Sequence, residues 1–402
     1  MTIARPMVRG IARPMARPIL EGVGGTAVQR AFADGTDGFY FDFSKTDRLF
    51  QNLTGTPADD AGENIALALD AHSWAGRTYA QELASRPPVL VDDFSTYADT
   101  AAMLAAGWAG SNGGTPTLSS GQMKLTNGLA AFGRVSRPFT TVAGRTYKAS
   151  VKNNSPGGAN LTAATASNLS GSLGTVALSS GASGEITFVA TGTTTYVGVQ
   201  SASSALAYEG LYDDFRVDLV PGNHGQQATA AAQPKWQTGG VIRFDGSDDN
   251  LLTTLAPNAT AMTLLAKFKV TGASKALMGI SGTTTRCFIS SNASGQFSGG
   301  IGSQSFSTIA AGPDIRGTVG VGALVFGSST VKLYWNGPEI YSAASADAPS
   351  NTVAMALGGV NSTSSPGTIG TFADADIYHA LAIKKALTAA EIAAITNQWG
   401  TT

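Results

Sequence analysis

Val331-Lys332-Leu333-Tyr334-Trp335-Asn336-Gly337, followed two residues later by Ile340-Tyr341, is the stretch that decides the fold. Apolar and polar side chains alternate along it, as on a strand with one buried face. Asn-Gly then offers two positions that tolerate positive φ, which a two-residue type I′ turn requires. The segment reads as a β-hairpin.

The same texture extends outward in both directions. Within 221–402 it recurs at Val241 to Asp245, Met262 to Val270 and Gly320 to Phe326. Between 89 and 220 it recurs at Gln122 to Leu125, Phe132 to Val135, Thr146 to Val151, Gly184 to Val189, Thr195 to Val199 and Gly210 to Leu219. Short strands broken at intervals by Gly, Asn and Ser indicate β-sandwiches. Composition agrees: the 402 residues include 49 Gly and only 13% charged residues, too few for a mainly helical chain. Two short helices are expected. One spans Thr100 to Ala106; the other follows the capping box Thr388-Ala389-Ala390-Glu391 over about 389–398 and docks its Ile392, Ile395 and Trp399 stripe on a sandwich. The fold class is all-β, with sandwiches, an N-terminal arm and a short C-terminal helix.

At roughly 100–200 residues per domain, the length calls for more than one core. The first twenty residues hold a repeat, Ile3-Ala4-Arg5-Pro6-Met7 and Ile11-Ala12-Arg13-Pro14-Met15, followed by Arg17-Pro18-Ile19. Each Pro removes a donor and disfavours the α region at the preceding Arg, so this stretch is read as extended. It is either a disordered tail or an arm laid into a groove of a larger assembly, with arginines meeting carboxylates; the regular spacing favours the arm. Boundaries follow at the hinge Gly22-Val23-Gly24-Gly25, at Arg86-Pro87-Pro88 and at Pro221-Gly222-Asn223-His224.

A net charge of −1 gives no field that would gather nucleic acid or an anionic membrane. No run of ~18 apolar residues is present, and the N-terminus lacks an apolar stretch ending in a cleavage signal, so cytosolic synthesis without membrane insertion is expected. The single cysteine, Cys287, lies among apolar residues and is expected to be a buried, inert thiol.

Two stretches carry a family resemblance. Val241-Ile242-Arg243-Phe244-Asp245-Gly246-Ser247-Asp248-Asp249-Asn250-Leu251-Leu252, and the ending Phe372 to Ile383 with Ala386 to Ile392, resemble the first and last elements of concanavalin A-like, laminin-G-like jelly-roll modules. Phe41-Asp42-Phe43-Ser44, Ala68-Leu69-Asp70 and Asn223-His224-Gly225-Gln226-Gln227 resemble tailed-bacteriophage structural proteins of the fibre or spike type. Val91-Asp92-Asp93-Phe94-Ser95 and Tyr212-Asp213-Asp214-Phe215 resemble the ends of carbohydrate-binding-module jelly rolls, inserted into the first domain. The expected organisation is an arm and hinge at 1–36, a discontinuous concanavalin A-like sandwich at 37–90 plus 221–402, and an inserted sandwich at 91–220. The resemblance implies a homotrimeric virion fibre, on head or tail, anchored to a capsid or tail protein through Arg5, Pro6, Arg13, Pro14, Arg17 and Pro18, and touching host surface polysaccharide. A structural or decoration protein that binds no sugar, and a capsule depolymerase, are the alternatives.

The chemistry of the residues bears on these readings. Sugar binding needs an aromatic face ringed by amides and hydroxyls, and Trp335 with Asn336 and Trp108 with Asn112 are candidates, although strand alternation could equally bury either ring. Hydrolysis needs two carboxylates about 5–9 Å apart. Glu339 stands alone, Asp374 and Asp376 read as turn or edge residues, and the Glu-x-Asp-x-x-Glu strand of glucanase relatives is missing, so no enzyme is expected. His72, His224 and His379 fit no zinc spacing. Calcium is the one possible metal: Asp245, Asp248 and Asp249 share a turn, and Asp92, Asp93, Asp213 and Asp214 could meet where the first and last strands of the inserted sandwich pair. The same aspartates could instead cap turns through their own backbone.

Overall fold

The computed structural model describes residues 26–400, apart from 53–55, 73–82, 84–86, 129, 206–207, 258, 283–284, 306–312, 328 and 345–350. The Arg-Pro repeats at 1–20 lie outside the described residues. Among those described, the chain is all-β, with four almost wholly antiparallel sheets of eight, eleven, five and six strands.

The eight-stranded sheet runs in the order Lys235–Gln237, Val241–Asp245, Asp374–Ile383, Met262–Val270, Gly320–Gly327, Thr330–Trp335, Glu339–Ala344, with Gly38–Asp42 also paired to Asp374–Ile383. The eleven-stranded sheet begins with Leu49–Phe50 and Leu67–Ala68 and continues through Gly225–Gln226, Leu251–Leu252, Ala356–Leu357 and Ala276–Ser281. Residues 38–68 and 225–383 therefore share these two sheets. Between them Phe39, Phe41, Phe244, Phe268, Phe297, Leu324 and Met355 form one core. The aromatic alternation at Phe39, Phe41 and Phe43 stacks three rings at centroid separations of 4.8 and 5.9 Å.

The hairpin is formed by Thr330–Trp335 and Glu339–Ala344, with Leu333 opposite Tyr341. Asn336 and Gly337 hold φ of 53° and 107°, the region that an Asn-Gly pair enters at least cost. The C-terminal helix covers Ala389–Trp399 and closes its capping box through Thr388 and Glu391. It lies on the outer face of the eight-stranded sheet, where Ile392, Ile395 and Trp399 pack with Leu265, Tyr334 and Leu381.

One feature departs from the expected arm and hinge. Ala27–Ala31 is a helix with its own capping box, Thr26 to Gln29, and it buries Val28 and Ala31 beside the C-terminal helix. The Thr-x-x-Gln spacing that closes the box lies in the sequence, immediately after the glycines that suggested a hinge.

Residues 90–220 build the five- and six-stranded sheets. The long strand Glu209–Val220 pairs with Thr146–Asn153, Gln122–Asn127 and Leu90–Asp92. Phe94, Trp108, Tyr212 and Phe215 fill the core between the two sheets. A short helix, Thr100–Ala105, is capped by the Asp99 carboxylate, which accepts from the Ala102 N–H.

The chain departs from the first pair of sheets after Leu67–Ala68 and re-enters them at Gly225–Gln226. These two strands are neighbours, Gly225 opposite Ala68 and Gln226 opposite Leu67. Exit and return are fastened by a buried polar knot. The Asp70 carboxylate accepts from the Tyr40 N–H at 2.8 Å, the His72 N–H at 3.0 Å, the Asn223 N–H at 2.7 Å and the His72 ring at 2.7 Å. The Asp70 N–H donates to His224 Nδ1 at 2.9 Å, and the other ring nitrogen of His224 faces the Val220 carbonyl at 3.1 Å. Gly222 is required here: its φ is 130°, and a Cβ would come within 2.9 Å of the Asp70 side chain.

Candidate functional site

The tryptophans proposed for sugar contact belong to the cores. Trp335 is 8% exposed and packs between Phe268 and Phe297, at 5.6 and 5.8 Å between centroids. Its neighbour Tyr334 points to the opposite face and is buried as well, under the helices. Alternation would free one of the pair only if one face of the sheet met water, and here both faces are covered. Trp108 is 1% exposed, packed tilted against Phe94 and edge-to-face against Phe215, with its N–H donated to Asp92 at 2.6 Å. Asn336 accepts the Val321 N–H, and Asn112, in a left-handed turn with φ of 50°, donates to the Phe132 carbonyl. These residues build the fold and leave no aromatic face for a saccharide.

The aspartates divide in the same way. Asp92 is buried and neutralised by Arg137 at 2.9 Å, with Tyr97 and Trp108 donating to it as well. Asp93 caps its own turn through the Ser95 N–H, and Asp213 accepts from Gln122. Asp214 takes φ of 50° at a register shift between the paired strands. Asp92, Asp93, Asp213 and Asp214 therefore do not converge as calcium ligands. Among the described residues, carboxylates come within 4.8 Å of one another in threes at Asp59/Asp60/Glu63 and at Asp245/Asp248/Asp249.

In the second group, the Asp245 N–H donates to Asp249 at 2.9 Å, and the Asp245 carboxylate accepts from the Ser247 N–H at 2.8 Å. Burial pushes the Asp249 carboxyl up to about 6, and the charges of Asp245 and Asp248 add to that rise. Three hard oxygen donors whose mutual repulsion a cation would relieve fit Ca²⁺ chemistry.

This turn forms one wall of a cleft of about 540 Å³. Gln226 and Gln227 at the re-entry strand, Leu252 to Thr254, Ile369 in the short strand Ile369–Gly370 and Phe372 just after it also line the cleft. Gly144, from the other sandwich, lines it as well. Thr254 is fixed by donating to Asn223 at 2.8 Å, Gln226 by donating to Thr146 at 3.4 Å, and Asn250 by donating to the Asp248 carbonyl at 2.8 Å. The cleft sets a half-buried phenyl ring and an aliphatic side chain beside amides, hydroxyls and one carboxylate. That combination suits a polyhydroxylated ligand, whose C–H faces pack on the ring while its hydroxyls find donors and acceptors. The lining comes from four distant segments, so no local pattern marks it; the strongest signal was Gln226-Gln227, next to a Pro-Gly-Asn turn.

The carboxylates considered for hydrolysis are occupied elsewhere. Asp374 and Asp376 clasp Arg243 at 2.5 and 3.2 Å, and Glu339 pairs with Lys332 at 2.8 Å.

No protein-family model matches the chain, and no curated protein sequence does. Solved structures give partial likenesses. The NanB sialidase from Streptococcus pneumoniae aligns at 21% identity over 34% of this chain and 24% of its own, with a TM-score of 0.28. The Ruminococcus gnavus sialidase CBM40 bound to α2,3-sialyllactose aligns at 16% identity over 35% of this chain and 84% of its own, TM-score 0.28. The Trypanosoma rangeli sialidase in complex with the inhibitor DANA aligns at 12% identity over 44% of this chain and 30% of its own, TM-score 0.32. The chain thus spans about a quarter of the NanB structure, 24%.

Proposed function

We propose that the protein binds carbohydrate in the cleft between Phe372 and the Gln226-Gln227 wall. The observation that carries this reading is the lining: a ring and an aliphatic patch facing amides, hydroxyls and a carboxylate in one concave surface. In its finer form, the proposal is a bacteriophage virion fibre or spike that contacts host surface polysaccharide, is anchored by the Arg-Pro repeats of residues 1–20, and assembles as a homotrimer. That form is supported by the sequence resemblance alone, and mass spectrometry of purified virions together with light scattering of the isolated chain tests it.

The cleft itself is tested by titrating host-derived surface polysaccharide into the purified chain. Phe372→Ala should weaken binding at least about tenfold, on the order of 1.4 kcal/mol or more, because it removes the stacking face. Retained affinity would remove the cleft from the account. No sugar should be released in the same tubes; release would favour the depolymerase.

Calcium belongs to the same proposal. Asp245, Asp248 and Asp249 would hold it, and adding Ca²⁺ should raise the thermal midpoint while Asp249→Asn abolishes the rise. An unchanged midpoint in the parent chain would leave the trio as turn caps.

The burial of Trp335 and Trp108 favours a second reading, a structural or decoration protein that binds no sugar. That reading predicts no polysaccharide binding under any condition.

A further inference from the structure

We infer that the cleft selects uncharged saccharides and rejects sugar acids, an inference that rests on the carbohydrate reading above. Among the described residues, none that lines it is a lysine or arginine, and the one charged lining residue is Asp248. Asp245 and Asp249 belong to the same turn and bring carboxylate oxygens within 4.8 Å of that of Asp248. The cations nearby, Lys235 beside Asp249 among them, lie outside the lining. Lys275 donates to the Gly246 carbonyl at 3.3 Å, Arg145 to the Gly222 carbonyl at 3.1 Å, and Arg243 is held by Asp374 and Asp376.

A sialate, uronate or sulfated sugar brings an anion that is normally received by a guanidinium fork or an ammonium. Here it would lose its hydration and meet the Asp248 carboxylate. A neutral sugar meets no such opposition. Its hydroxyls can donate to Asp248 and accept from the amides of Gln226, Gln227 and Asn250, while a ring face covers Phe372.

The test uses the full chain and matched pairs of oligosaccharides that share a neutral backbone, one member uncharged and the other bearing sialate, glucuronate or sulfate. Affinities are measured by calorimetry near physiological salt, once with calcium and once with chelator, so that a cation bridging to the acid is detected. The uncharged member should bind at least about tenfold more tightly in chelator, and Asp248→Asn, an exposed change, should narrow the ratio several-fold. Equal or tighter binding of the acidic members in chelator would overturn the inference and leave the carbohydrate reading standing. Failure of every oligosaccharide to bind would overturn that reading and this inference with it.

Discussion

Asp70→Ala should destabilise the folded chain by roughly 3–5 kcal/mol, the range for removing one partner from a buried charged network. Asp70 is 0% exposed and accepts three backbone N–H groups as well as the His72 ring. Burial alone would push its carboxyl up; His72 beside it and the donors from Asn223 and His72 outweigh that and hold it below the ordinary carboxylate range. Alanine leaves the N–H groups of Tyr40, His72 and Asn223 buried without an acceptor, and each such orphan costs about 1–3 kcal/mol. His72 and Asn223 sit where the chain departs from one sandwich and where it returns, and Tyr40 lies in the sheet beside them, so the substitution also loosens the join between the two. Asp70→Asn is nearly as harmful, because its amide NH₂ faces donors. Urea unfolding followed by fluorescence measures the change; a loss below about 1 kcal/mol would show that the knot is ornamental.

Acid should weaken the protein well above the range where carboxylates titrate. His224 is buried with its Nδ1 accepting the Asp70 N–H, a role only the neutral ring can fill, and burial pushes its pKa down to about 4 against the pull of Asp70. His379 stacks on Trp399 at 4.9 Å between centroids, and burial likewise pushes it down to about 4, against the attraction of Asp42. In the unfolded chain each ring takes its proton near 6.5. Between 6.5 and 4 the unfolded state therefore binds more protons, and stability that is complete above pH 6.5 drains away as pH falls toward 4. Each ring accounts for on the order of 3 kcal/mol. Asp249 acts in the opposite sense: its raised carboxyl favours the folded state on the acid side and offsets part of the loss. Thermal midpoints should drop steeply from pH 7 to pH 4.5, and a flat profile over that interval would contradict the neutral assignment of the two rings.

The strands and their turns were legible because each rests on local chemistry. Asn336-Gly337 demands a tight hairpin, Thr388 to Glu391 closes a capping box, and alternation at Phe39, Phe41 and Phe43 assigns one face inward. The same period misled at Trp335. Alternation states that Tyr334 and Trp335 lie on opposite faces, and it is silent on whether a second layer covers the far one. Helices at both ends of the chain supply that layer, and Tyr334 disappears beneath them. Trp108 was illegible for a related reason: the partner that receives its N–H is Asp92, sixteen positions earlier, across the sandwich core. The aspartates show how little residue type reveals by itself. Asp92 serves an indole and an arginine, Asp93 caps a turn, and of the seven aspartates considered for calcium only Asp245, Asp248 and Asp249 converge. His72 and His224 looked unrelated across 152 residues because the strands beside them, at Ala68 and Gly225, are neighbours only in the folded sheet. The cleft shares this property, since no window of sequence contains both Phe372 and Gln227.

The central claim is that sugar occupies that cleft, and hydrogen exchange of the intact chain with and without a saturating neutral oligosaccharide tests it most directly. The account predicts slowed exchange confined to the backbone around 226–229, 248–254 and 367–372, lost together with binding in Phe372→Ala. Protection on another surface, with these segments unchanged, would contradict it.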